Sequence, residues 1–199
     1  METYDLAVLA KRVYESGLFF FSSKTLRDIL EIKNEAVFFR VINRLLKSGI
    51  LQKIERDKYV LKEGRFSDFA LANFLYYPSY VSFESALNFH GLLAQFPQET
   101  TSVSTKKTIR KTIEGKVFSY AHLQKKLFWG YERKDDFLIA IPEKALLDQL
   151  YLAGRGLKMI NLDEMDFNIL DKTRLKHYFH LFPKSKQFLK IWKILENYL

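Results

Sequence analysis

The sequence predicts an α+β fold, on three observations. Apolar residues recur at helical spacing in several stretches, short alternating runs lie between them, and Gly, Pro, Ser and Asn stand at the joins where caps and turns need them. Hydrophobic residues make up 48% of the 199 and aromatic residues 16%, enough to fill packed cores, which excludes a largely disordered chain. The length suits one domain of ordinary size or two small ones.

The elements follow in order. Residues 3–16 place Leu6, Leu9, Ala10 and Val13 on one helical face, with Gly17 as the C-terminal stop. After the apolar Phe19 to Phe21, Ser22 or Ser23 caps a short helix ending at Leu30, which turns Leu26, Ile29 and Leu30 inward. Asn34 caps a third helix over 35–48, closed by Gly49. Residues 50–54 and 58–62 read as two short strands around a tight Glu55-Arg56-Asp57 turn. Three helices and a β-hairpin in about 60 residues is the order of a winged helix-turn-helix.

From Arg65 the pattern changes. Residues 66–77 are strongly apolar and aromatic, and Pro78 ends that stretch. Ser82 or Ser85 caps a helix through His90, with Gly91 as its stop. Residues 101–104 and 117–120 alternate as strands do, and 127–131 with 137–141 reads as a hairpin about 133–136. Pro142 opens a compact apolar helix that Gly154 ends, and 171–199 reads as two helices separated near Pro183. The expectation is a winged helix-turn-helix domain over 1–64 and, over 65–199, a helix-rich α+β domain with a mostly antiparallel sheet. No repeat, low-complexity tract or Pro-, Gly- or Ser-rich linker separates them, so the boundary near Gly64 rests on the change of pattern.

Thirty-two Lys and Arg against 23 Asp and Glu give a formal charge of +9, which invites a polyanionic partner. Up to Gly64 twelve cations face nine acids, and from Arg65 onward twenty face fourteen. The larger excess is concentrated at Lys106, Lys107, Arg110, Lys111, Lys116, Lys125, Lys126, Arg133 and Lys134, and in the seven cations between Lys172 and Lys193. Lys106, Lys107, Arg110, Lys111, Lys125 and Lys126 form a candidate second basic surface, for DNA flanking an operator or for RNA.

The smaller excess has the clearer arrangement. At 100° per residue, Phe38, Val41, Ile42 and Leu45 define the buried side of the third helix, while Lys33, Ala36, Arg40, Asn43, Arg44 and Lys47 fall within about a third of a turn on the other. Arg and Lys reach guanine acceptors or phosphates, Asn pairs with adenine, and the small Ala permits close approach to a major groove. Any surface helix turns polar residues outward, and Lys47 also suits the C-terminal dipole. The short helix before and the hairpin after favour DNA. Lys53, Arg56 and Lys58 cluster at the hairpin tip, where Glu55 and Asp57 weaken the field, so Arg56 and Lys58 are expected to contact backbone rather than read sequence. Tyr59 is expected to pack beneath the hairpin.

Catalytic signals are weak. His177 and His180 lie three apart on a helix without a carboxylate at ligand spacing, so no metal is expected. His90 reads as a helix end, and His122 as solvated or near a phosphate. The segment DDFLIAIPEK lacks the spacing of a nuclease, and a P-loop, GxGxxG and GxSxG are absent. Glu143 reads as a helix N-terminal acid and Lys144 as its solvent-facing neighbour. No catalytic residue and no cofactor is expected. The absence of Cys fits a reducing setting, and no apolar run approaches a membrane span, so a cytoplasmic protein without membrane contact is expected. The start METYDLAVLA carries acids where a secretory leader needs lysines.

The order and spacing of GILQKIERDKYVL, PSYVSFESALNFHGL, TSVSTKK, KLFWGYE and IAIPEKALLDQLYL resemble the AbiEi-like antitoxins of bacterial abortive-infection systems, over about Leu6 to Leu152. The resemblance implies phage defence by a type IV toxin-antitoxin pair. It implies further that the N-terminal domain binds inverted repeats in its own promoter and that the C-terminal domain counters a nucleotidyltransferase-like toxin without a stable complex. Carried over by position, Arg40, Asn43, Arg44 and Lys47, with Arg56 and Lys58, are the operator contacts. The acidic hairpin tip departs from the more basic, glycine-rich turn such a protein is expected to have. An RNA- or protein-binding interaction module, a transcription factor without a toxin partner, and an enzyme on nucleic acid using Asp136 or Asp148 are the alternatives.

Overall fold

The computed structural model describes residues 5–199, and positions 3 and 4 of the expected first helix lie outside them. The chain is α+β and divides into two compact units, one ending at Ser67 and the other spanning Asp68–Leu199. The division falls beyond the Gly64 expected.

The first unit holds α1 (Leu6–Glu15), β1 (Phe20–Ser22), α2 (Ser23–Leu30), α3 (Glu35–Lys47), β2 (Leu51–Glu55) and β3 (Lys58–Leu61). Each helix begins where a side chain takes up an orphan N–H. Asp5 accepts from Ala7, Ser22 from Thr25 at 3.0 Å, and Asn34 from Val37 at 3.1 Å. Leu9, Val13, Leu26, Leu30, Phe38, Val41, Ile42 and Leu45 close one core with Phe21, Leu51 and Tyr59 from the sheet. That sheet has three antiparallel strands in the order β1-β3-β2, not two. The additional strand is the apolar run before α2, pairing Phe20 with Val60 and Phe21 with Tyr59.

The second unit holds α4 (Asp68–Leu75), β4 (Ser79–Val81), α5 (Phe83–Phe89), β5 (Thr100–Ser104), β6 (Ile109–Ile113), β7 (Lys116–His122), β8 (Tyr131–Lys134), β9 (Phe137–Ala140), α6 (Pro142–Ala153), α7 (Lys172–Phe179) and α8 (Lys186–Leu195). Its six strands lie in the order β6-β7-β5-β4-β9-β8. The sheet is mixed rather than mostly antiparallel, because β6 folds back on the outer side of β7 and leaves β7 beside β5. The pairs β5·β7 and β4·β9 run parallel, and β4·β5, β6·β7 and β8·β9 antiparallel. The expected strand at 127–131 gives way to a 3-10 turn at Lys125–Leu127, with the strand following at Tyr131.

Helix α6 is the centre of this unit, with α5, α7, α8 and β9 packed around it. Every residue from Glu143 to Leu152 is buried, the pattern of a helix covered on all sides. Lys144 is therefore not solvent-facing, as its place beside a helix start suggested, but fully enclosed. Glu143 is also buried, and accepts the Asp171 N–H at 2.9 Å where α7 begins.

Candidate nucleic-acid interface

The outer face of α3 is built by the spacing that builds its inner one. With Phe38, Val41, Ile42 and Leu45 at 0–2% exposure, the residues opposite are forced out. Lys33, Ala36, Arg40, Asn43, Arg44 and Lys47 are all exposed. Among the described residues no carboxylate pairs with Arg40 or Lys47. A residue that the sequence left out stands at the edge of this face. Phe39 is 44% exposed, one helical step from Ala36 and Asn43, where an apolar ring can meet a thymine methyl. Its signal was an aromatic residue off the inner stripe of an amphipathic helix. The face is presented rigidly, because Arg27 stacks its guanidinium 4.6 Å above the buried ring of Phe38 and Arg12 donates to the Leu30 carbonyl at 3.1 Å.

The acids at the β2–β3 turn have local partners. Glu55 holds the Lys58 ammonium at 2.9 Å. Asp57, with φ 58°, accepts from the Ser23 hydroxyl at 2.9 Å, and its carbonyl accepts the Ser23 N–H at 3.2 Å. The turn tip is thus tied to the first turn of α2. Arg56 stays almost fully exposed, 3.7 Å from Asp57. Lys58 is half-buried and engaged, so Arg56 is the more available cation of the two. Tyr59 lies in the core.

The six cations of the expected second basic surface do not share one face. Arg110 and Lys111 are neighbours on β6 and point to opposite sides of the sheet. Arg110 meets Glu99 at 3.0 Å, and Lys111 donates to the Leu75 carbonyl at 3.2 Å. Lys106 and Lys107 are exposed on the β5–β6 turn, and Lys125 and Lys126 on the 3-10 turn after β7.

The chain matches no known family and no curated protein. What it can do must be read from its own side chains.

Two further sites in the second unit bear on chemistry. His90 Nε2 lies 2.7 Å from the Ala140 carbonyl, which ties α5 to the sheet. Within the core, Lys144 and Asp148 form an ion pair one helical turn apart on α6, both side chains at 0% exposure. Lys144 also donates to the Tyr80 hydroxyl at 2.8 Å, while Tyr80 and Ser82 donate to Asp148 at 3.0 and 2.9 Å. Rings of Tyr80, Trp129 and Phe182 surround the ammonium at 5.1–5.3 Å. Burial pushes the Lys144 pKa down and the Asp148 pKa up, against the attraction between them. Burial, then the neighbouring Asp148 charge, holds the Tyr80 hydroxyl well above its ordinary value. Nothing in this network is open to a substrate. Among the described residues, no group of three or more His, Asp or Glu is placed to hold a metal, and no helix is long and apolar enough to cross a membrane.

Proposed function

We propose that this chain is a DNA-binding antitoxin that represses its own operon. On this reading the first unit is a winged helix-turn-helix, with α2 and α3 as its helix pair and β2–β3 as its wing. Helix α3 enters the major groove, Arg40, Asn43 and Arg44 face base edges and phosphates, and Lys47 and Arg56 hold the backbone. The observation that carries it is the outer face of α3, where Arg40, Asn43, Arg44 and Lys47 follow exposed Ala36 along one side of the helix. The helix-helix-hairpin order supports the docking mode, and the +9 charge supports a polyanion. The resemblance of the motifs to AbiEi-like antitoxins supplies the operon and the nucleotidyltransferase-like toxin. The second unit would oppose that toxin in the cytoplasm without a stable complex.

The test is binding of the full chain to its own upstream region. Arg40→Ala with Arg44→Ala is expected to weaken binding at moderate salt by about 2–6 kcal/mol, taking about 1–3 for each lost base contact. Unchanged operator affinity would remove the α3 face from the interface. Rescue from a neighbouring nucleotidyltransferase-like gene product, by the whole chain, tests the antitoxin half.

A further inference from the structure

The cations of the second unit fall into two sets by their partners. Lys116 lies 2.7 Å from Asp68, Arg110 3.0 Å from Glu99 and Lys158 2.5 Å from Glu84, while Arg174 faces Glu143 and Asp171 at 3.6 Å. Lys106 and Lys107, like Lys125 and Lys126, have no carboxylate partner among the described residues, and they alone of these border an open hollow. They stand side by side, exposed, on the turn joining β5 to β6.

Three other parts of the unit hold that turn in place. The Tyr76 hydroxyl, just after α4, donates to the Lys107 carbonyl at 3.0 Å. His122, the last residue of β7, donates from Nδ1 to the Lys106 carbonyl at 3.0 Å, and its backbone N–H donates to Thr108 Oγ1 at 3.1 Å. Ser104 Oγ accepts the Lys106 N–H at 3.1 Å. The ammonium groups of Lys106 and Lys111 lie 5.4 and 5.5 Å from the centre of the Tyr76 ring. A loop fixed in advance loses little freedom when a ligand arrives. Beside it is an open concavity of about 680 Å³, bounded by Tyr76, Thr105, Lys106, Lys107, Thr108 and His122, with no carboxylate in its wall.

We propose that this turn binds the phosphodiester backbone of a nucleic acid without reading its bases. Two lysines and two threonines among the residues bordering a hollow without a carboxylate suit an oxyanion whose acceptors point several ways. Lysine supplies point charge rather than the planar fork that selects a base edge. The inference is independent of the role given to α3, which lies in the other unit.

RNA and DNA carry the same phosphodiester, so the test uses both. The full chain is titrated with a labelled mixed-sequence single-stranded RNA and with a duplex DNA lacking the operator, over a salt series. The variants are Lys106→Gln/Lys107→Gln, Arg40→Ala/Arg44→Ala and the four changes together. Both lysines are exposed, and Tyr76 and His122 grip backbone carbonyls that the substitutions leave intact. The lysine pair is expected to weaken at least one complex, whether or not α3 is altered. The slope of log K against log salt becomes shallower by about 1.4 on the single strand or about 1.8 on the duplex, and the arm that responds identifies the strand form. Charge reversal with Lys106→Glu/Lys107→Glu is expected to deepen the loss; an equal loss would mean that the turn had merely been disturbed, and would overturn the proposal. Unchanged affinity and slope on both strands would overturn it too. Operator binding by the same proteins keeps the two sites apart, since loss of the α3 contacts leaves the lysine dependence in place.

Discussion

A Cβ at Gly130 would sit 2.9 Å from Lys144 Cγ, and Gly130 has φ +72°, so the backbone before β8 runs against the lysine stem with no room for a side chain. Gly130→Ala is expected to cost about 1–3 kcal/mol in urea unfolding, by overpacking and backbone strain together. Lys144→Met should cost about 3–5 kcal/mol, because it leaves the Asp148 carboxylate buried with only hydroxyl partners. Adding Asp148→Leu should recover part of that loss, since no buried charge remains. The single variant also acquires a pH signature. Lys144 is the charge that lowers the Asp148 pKa against burial. Without it the folded carboxyl holds its proton to higher pH than the unfolded one does. The deficit of Lys144→Met is therefore smallest below the unfolded carboxyl pKa of about 3.9 and grows as pH rises toward the folded value. Unfolding at about pH 4.5 and about pH 7.5 measures it, and a deficit independent of pH would assign Lys144 to packing alone. The i, i+4 spacing of this pair was legible in PEKALLD. Its burial was not, because no local signal tells that a helix bearing Glu, Lys, Asp and Gln is covered from every side.

Most helices were readable, because their ends are written in adjacent residues; α4, largely apolar, was read only as a stretch that Pro78 ends. Ser22 and Asn34 were nameable as caps, and both accept the bonds that their positions require. Asn34→Ala is expected to cost about 1 kcal/mol and to fray the first turn of α3, measurable as faster amide exchange at Val37. Strands were legible where a run of alternating or apolar residues carried them, as in β2, β3, β5, β7 and β9; β1, β4 and β6 were missed, and β8 was expected four residues early. The three-residue β1 and β4 are completed by partners far along the chain, and the exposed edge strand β6 reads IRKTI, with hardly an apolar face to announce it. The mixed character of the sheet escaped for the same reason. Direction is set by which strand fills the place beside β5, a fact of topology rather than of any segment. For the candidate interface, the polar residues of the α3 face were legible from helical periodicity, while exposed Phe39 at its edge was passed over and the engagement of Lys58 by Glu55 was not legible.

At the level of the whole molecule, two units close separate cores, one around Phe38 and Leu45 and the other around α6. Leu45→Ala is expected to destabilise the first by about 2–5 kcal/mol. It should lower hydrogen-exchange protection in α1 to α3 and leave α6 protected; equal loss in α6 would show that the two open as one. The charge also has a different character in each unit. In the first it is arranged on one helix face, and in the second it is spread over several elements, with five cations paired to carboxylates and Lys106 and Lys107 adjacent on the β5–β6 turn.

The enclosure of Lys144 gives the chain an internal reference for chemical footprinting. An amine-acylating reagent reaches Lys106 and Lys107 in the native protein but meets Lys144 only when α6 is uncovered. Lys144 labelling therefore reports the unfolded fraction in the same sample in which protection at Lys106 and Lys107 reports occupancy of the turn. A preparation that acylates at Lys144 while remaining in solution would contain opened chains, and its nucleic-acid titrations could be corrected for them residue by residue.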